Sequence, residues 1–248
     1  MTLASCDSRK TAGENPFFTE WDTPHGVPPF DKILPEHFMP AFERGMSLHE
    51  AEIDAITSNK DEATFENTIL AYDNAGQMLA QTELVFGMLC AAETNDRMQA
   101  LQEQAMPLLA AHRDKIRLDD KLFVRVKEVY DRRAALGLDA EQMRLLQKTY
   151  DSFVRAGALL DAEQKARLKE INGQLSLTAV KFGNNILAEN NNFVLELKSD
   201  ELDGLPAGIR DAAREKAQQM GKGDKWVFTL HKPSLIPLLT YSTRRDLR

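Results

Sequence analysis

The sequence predicts a mainly α-helical protein with one or two short strands near its C-terminal end. Three observations carry this. Apolar residues recur at helical spacing through most of the chain. Two copies of an Asp-x-x-Gln start signal punctuate it, and strand-like alternation is confined to two short stretches after Asn190. With 248 residues, 43% of them hydrophobic and 28% charged, the chain is long enough for a substantial core and is neither disordered nor membrane-embedded by composition.

Six of the ten prolines (Pro16, Pro24, Pro28, Pro29, Pro35 and Pro40) lie in the first forty residues. Proline fixes its own torsion and disfavours helix in the residue before it, so residues 11 to about 34 are predicted to form an extended arm. Phe17, Phe18, Trp21 and Phe30 would pack that arm onto the body. A helix from Pro35 to about Ser58 follows, since proline is tolerated in a first turn. Next, Phe65, Tyr72, Leu79 and Phe86 recur every seven residues and predict one stripe of a long helix. Thr94 then reads as the N-cap of a helix through about Lys115, bent at Pro107.

LDAEQ occurs at 138–142 and again at 160–164. In each copy Asp caps a helix start and Gln, three residues on, reaches back to form a capping box. The second copy opens the clearest helix of the chain, with Leu168, Ile171, Leu175, Ala179, Phe182 and Ile186 along one face. From Asn190 the pattern changes. NNFVLEL and KWVFTL read as short strands, DGLPAGIRDAAREKAQQ as a turn into a helix, and PSLIPLLTYSTRRDLR as an apolar segment with a basic end. Four segments result: 1–10 as a lipoprotein signal remnant, 11–34 as the arm, 35–189 as a helical body, and 190–248 as strands and helices leading onward.

Several function classes are excluded. A net charge of -7 argues against a broad nucleic-acid surface, because phosphate binding needs clustered Lys and Arg. There is no Gly-rich phosphate loop and no G-x-S-x-G elbow. No uncharged apolar run approaches the roughly 18 residues of a spanning helix. The two cysteines give no C-x-x-C. Cys90, within VFGMLCAAE, reads as a small buried hydrophobe. Cys6 closes Leu3-Ala4-Ser5-Cys6, which resembles a lipobox, although no charged start and apolar segment precede it. On that reading Cys6 carries a lipid anchor and the protein sits in a bacterial cell envelope; with a coincidental match, it is cytoplasmic.

His49-Glu50 begins the zinc-peptidase signature H-E-x-x-H, in which two histidines one turn apart hold the metal. The second histidine's place is taken by Ile53, which has no lone pair to donate. His49 and Glu52 could share a face, but nothing nearby in sequence supplies a third ligand. The expectation is an amphipathic helix with Ile53 toward the core and Glu50 and Glu52 solvated. His25, His37, His112 and His231 are scattered singly, and Asp119-Asp120 reads as a helix start. The residues themselves assign no catalytic or metal-binding position.

The order and spacing of NPFF, PEHFMPAFERGM, AEIDAI, FENTILAYDNAGQML and VFGMLCAAETNDRMQALQEQ resemble bacterial dipeptidyl carboxypeptidases of the thimet oligopeptidase family of zinc metallopeptidases. LFVRVKEVYDRRAALGLDAEQMRLL, FVRAGALLDAEQKARLKEIN and KWVFTLHKPSLIPLL continue the resemblance. It implies a helical, two-lobed protein with a channel, a zinc ion held by H-E-x-x-H and a downstream glutamate, and release of dipeptides from the C-termini of short peptides. The resemblance places this sequence in the N-terminal lobe, where it would form a channel wall. None of the family's catalytic residues maps onto it, and its partners would be short peptides and the missing C-terminal catalytic domain. An internally cleaving oligopeptidase and a non-catalytic helical peptide-binding module are the alternatives.

Overall fold

The structure, a computed structural model, describes residues 15–248. Cys6 and its lipobox lie outside the described residues. The chain divides into two compact units, one running through Val180 and the other from Lys181 to Arg248.

In the first unit, a 3-10 turn (Pro35–His37) leads into α1 (Phe38–Ser58). The arm before it is irregular, with 3-10 turns at Pro16–Phe18 and Pro24–Gly26. Asn15 Nδ2 donates to the His37 carbonyl at 2.8 Å, and Phe17 is buried against Phe38 with ring centroids 5.4 Å apart. Phe17 therefore packs the described part of this segment on the body, whereas Phe30 is exposed.

The seven-residue aromatic spacing does not build one helix. Phe65–Leu70 is π-helical, entered through a capping box between Thr64 and Asn67, and passes into a single α-turn, α2 (Ala71–Asp73). Gly76, at φ +75°, breaks the chain before α3 (Gln77–Ala92). That left-handed conformation costs a side-chain-bearing residue about 1–2 kcal/mol, so glycine marks the break. The four spaced residues consequently serve two cores. Phe65 and Tyr72 join one, Leu79 and Phe86 the other.

Next comes α4 (Asp96–Arg117), capped by Asn95, whose side chain accepts from Met98 N at 3.1 Å; the cap is one residue beyond Thr94, and Pro107 lies inside the helix. Asp119 caps α5 (Asp120–Asp131), and Asp139 with Gln142 forms the predicted capping box of α6 (Ala140–Arg155). The second box is also present: Gln164 N donates to Asp161 Oδ1 at 2.8 Å, and Asp161 N to Gln164 Oε1 at 3.2 Å. It opens α7 (Ala162–Asn192).

Helix α1 serves both cores of this unit. Its first half places Phe38, Ala41 and Phe42 with Leu79, Val85, Phe86, Met98 and Leu109. The second half places Ile53 and Ile56 with Phe65, Ile69, Leu122, Val126, Leu146 and Phe153. Arg125 ties the loop before the π-helical turn to α5, donating to the carbonyls of Asn59 (2.9 Å) and Asp61 (3.1 Å) and to Asn67 Oδ1 (3.1 Å). Helix α7 behaves differently. It forms as predicted, yet its apolar face is not a core face: Leu175 is 62% exposed, and Ile171, Ala179, Phe182 and Ile186 are exposed too.

The second unit holds the two predicted strands, β1 (Leu195–Leu197) and β2 (Trp226–Phe228), as an antiparallel pair with Glu196 opposite Val227. Helices α8 (Ala207–Gln219) and α9 (Lys232–Tyr241) close a small core around Leu197, Leu202, Leu205, Ala213, Phe228 and Leu238.

The packing sets a contrast that mutation can read. Phe86 meets Phe38 and Phe42 edge-on, with ring centroids 4.9 and 5.3 Å apart. Phe86→Ala is expected to lower unfolding free energy by about 3–5 kcal/mol. Leu175→Ala should change it by no more than about 0.5 kcal/mol. Urea unfolding of the two variants beside the parent chain checks both.

Candidate functional site

A cleft of about 470 Å³ opens between α1, α2, α3 and α4, lined among others by His49, Tyr72, Gly76, Glu83, His112 and Arg117. Its position follows from α1. Ile53 is 3% exposed and belongs to a core, which turns His49, one helical turn earlier, toward α3 and α4.

His49 Nδ1 lies 3.0 Å from His112 Nε2 on α4. One of these nitrogens donates and the other accepts, so the facing pair holds a single proton. His112 is 5% exposed, and its Nδ1 is 3.5 Å from Glu50 Oε1 without a formed hydrogen bond. Glu50 Oε2 is in turn 2.8 Å from Lys115 Nζ. Glu52 accepts from the backbone N–H of Gly76 at 2.7 Å, anchoring the turn between α2 and α3. A Cβ on Gly76 would stand 2.9 Å from His49 Nδ1, so glycine there also leaves room for the imidazole.

Electrostatics follow from burial. Both histidines have pKa values below the usual one, chiefly because burial disfavours their charged forms; for His49, repulsion from His112 adds to this. The hydrogen bond from Lys115 is the main reason the Glu50 carboxyl lies below its normal range. Burial raises Tyr72 and Glu83, the latter 3.8 Å from Arg113 Nη1. Burial also raises the Cys90 thiol, which keeps it in its less nucleophilic form.

Glu52 is exposed and Glu50 partly so, as expected of a solvated face. Glu50 and Glu52 are engaged with Lys115 and Gly76, and His49 and His112, isolated in sequence, meet in the fold. Sixty-three residues separate the two histidines, so no local spacing signals their contact. Ile53 lies in the core, as expected, and cannot complete a zinc motif. Among the described residues, no group of three or more His, Cys, Asp or Glu side chains could hold a metal ion. The described residues therefore do not fit the zinc site of H-E-x-x-H peptidases. Asp119 and Asp120 serve the start of α5, the first as its cap and the second paired with the buried Lys165. No helix among the described residues is long and apolar enough to cross a membrane.

No protein-family model matches the chain. Among curated proteins, the dipeptidyl carboxypeptidase of Escherichia coli is 37% identical over 94% of this chain. The dipeptidyl carboxypeptidase of Salmonella typhimurium is 35% identical, also over 94%. Over nearly all of its length this chain matches one part of dipeptidyl carboxypeptidases. Oligopeptidase A of E. coli is a more distant relative, 25% identical over 91% of the chain. The chain spans about a third of these relatives' length: 35%, 35% and 33% in turn. By their names these relatives are peptidases. The predicted mainly helical fold with a short strand pair is the one observed.

The histidine pair sets the pH dependence of stability. With folded pKa values depressed, the unfolded chain takes up protons first as pH falls below about 6.5. Stability from this pair is thus fully present above that value and declines as pH drops through it toward the folded values. Urea unfolding between pH 7.5 and 5.5 should show a falling unfolding free energy, and His112→Gln should flatten the slope. An unchanged slope in the variant would place the pH dependence elsewhere.

Proposed function

We propose that this chain is the non-catalytic helical part of a zinc metallopeptidase that releases dipeptides from the C-termini of short peptides. The observation that carries the reading is the 37% identity to a dipeptidyl carboxypeptidase, sustained over 94% of the chain. The lower identity to oligopeptidase A, 25%, favours the dipeptide-releasing branch over internal cleavage. A helical module that holds peptides without cutting them is the remaining alternative.

In this reading the helical body forms a wall of the substrate channel and limits access to extended peptides. In the same reading the zinc ion is held by polypeptide beyond these residues, in the C-terminal catalytic domain; among the described residues no group of three or more His, Cys, Asp or Glu side chains could hold a metal ion. Acylation of Cys6 would tether the protein to the bacterial cell envelope; without it the protein would act in the cytoplasm.

Incubating this chain with zinc and an N-terminally blocked tripeptide tests the assignment. The account predicts no turnover. Metal-dependent appearance of the C-terminal dipeptide would refute it by showing a complete reaction centre within these residues.

A further inference from the structure

The apolar face of α7 has no counterpart in the first unit's cores. Leu168, Ile171, Leu175, Ala179, Phe182 and Ile186 fall within a stripe about 80° wide at 100° per residue. Leu175 and Phe182 are 62% and 66% exposed, and Ile171, Ala179 and Ile186 are exposed as well. Of the whole 31-residue helix, only Lys165 and Val180 are buried. A helix this exposed ordinarily carries charge on its free surface. Here Lys181 is the sole charged side chain from Ile171 to Ala188. Depletion of charge together with large apolar groups is the compositional mark of an interface core.

The helix also carries two interior glycines, Gly173 and Gly183, each with nothing within 4 Å of where a Cβ would stand. Glycine in a helix interior costs about 1 kcal/mol relative to alanine. None of the described residues uses that space. Gly183 lies immediately after Phe182 and borders the stripe, where a missing side chain lets another backbone come close.

We infer that the α7 stripe is a docking face for further polypeptide of the same protein, corresponding to the part of the matched relatives that this chain does not span. The occupant follows from the comparison of lengths. A match covering 94% of this chain takes in α7, while the chain spans only 35% of the matched relative. A protein that shares this helix thus contains about two thirds more of its sequence. This inference rests on the peptidase reading above, and it assigns the contact to one helix face, with Ile171, Leu175 and Phe182 at its centre.

Cysteine accessibility tests it. Leu175→Cys and Glu170→Cys are placed separately in a background with Cys6 and Cys90 both replaced by Ser, in this chain and in the polypeptide of the full reading frame. Glu170 sits on the opposite side of α7 from the stripe and is exposed. Docking predicts that a thiol reagent labels position 175 readily in the short chain and about tenfold or more slowly in the long one, with position 170 labelled alike in both. Equal labelling of position 175 in the two would overturn the inference. So would a reading frame with no further polypeptide, or a dimer of the short chain that Leu175→Asp dissociates, since the occupant would then be a second copy. Peptidase activity of the long polypeptide is scored independently. A protected position 175 in a protein that releases no dipeptide would sink the peptidase reading while leaving the docking face in place.

Discussion

The first unit depends on how closely α1 and α3 approach. At Gly45 a Cβ would meet the Leu79 Cα at 3.0 Å, tighter than ordinary van der Waals contact. The helices are therefore in backbone contact at that point, which any larger residue would push apart. From that contact the two halves of α1 diverge in role. Phe38 and Phe42 lie before it in the aromatic core with Phe86, and Ile53 and Ile56 lie after it in the core with Phe65 and Phe153. His49, one turn beyond Gly45, fits against Gly76 because the same close approach brings the α2–α3 turn to it. The contact with His112 then draws α4 into the arrangement. Two glycines, 45 and 76, set the spacing on which the cores and the cleft rely.

This constraint explains which parts of the fold were legible in sequence. Capping boxes at Asp139 and Asp161 are local hydrogen-bond devices, so their spacing alone located two helix starts. Alternation located β1 and β2 for the same reason. The stripe through Phe65, Tyr72, Leu79 and Phe86 misled, because a seven-residue period continues across a break that only the backbone of Gly76 reveals. Periodicity also identified the face of α7 correctly without saying what would cover it. Apolar spacing reports that a face can be buried, and the burial itself depends on elements distant in sequence or outside the chain.

The cleft shows the same limit for chemistry. His49-Glu50 drew notice as half of a zinc motif, and Ile53 in the core disposes of that reading within the helix. The contact His49 does make, with His112, required the fold. With His112 buried and His49 half-buried, and short of a full ligand set, the pair braces α1 against α4 with a single shared proton. The similarity to peptidases runs along 94% of the chain, and it locates no reaction centre in the cleft.

Helices α1 and α7 are therefore opposites: one is buried on both sides of a glycine contact, the other keeps an apolar face for polypeptide not present here. Native-state hydrogen exchange of this chain measures the difference directly. Amides of α1 and α3 flanking Gly45 and Leu79 should exchange slowest, through opening close to the global unfolding free energy, while amides from 171 to 188 exchange through much smaller openings. Protection across 171–188 equal to that of α1 would contradict the account.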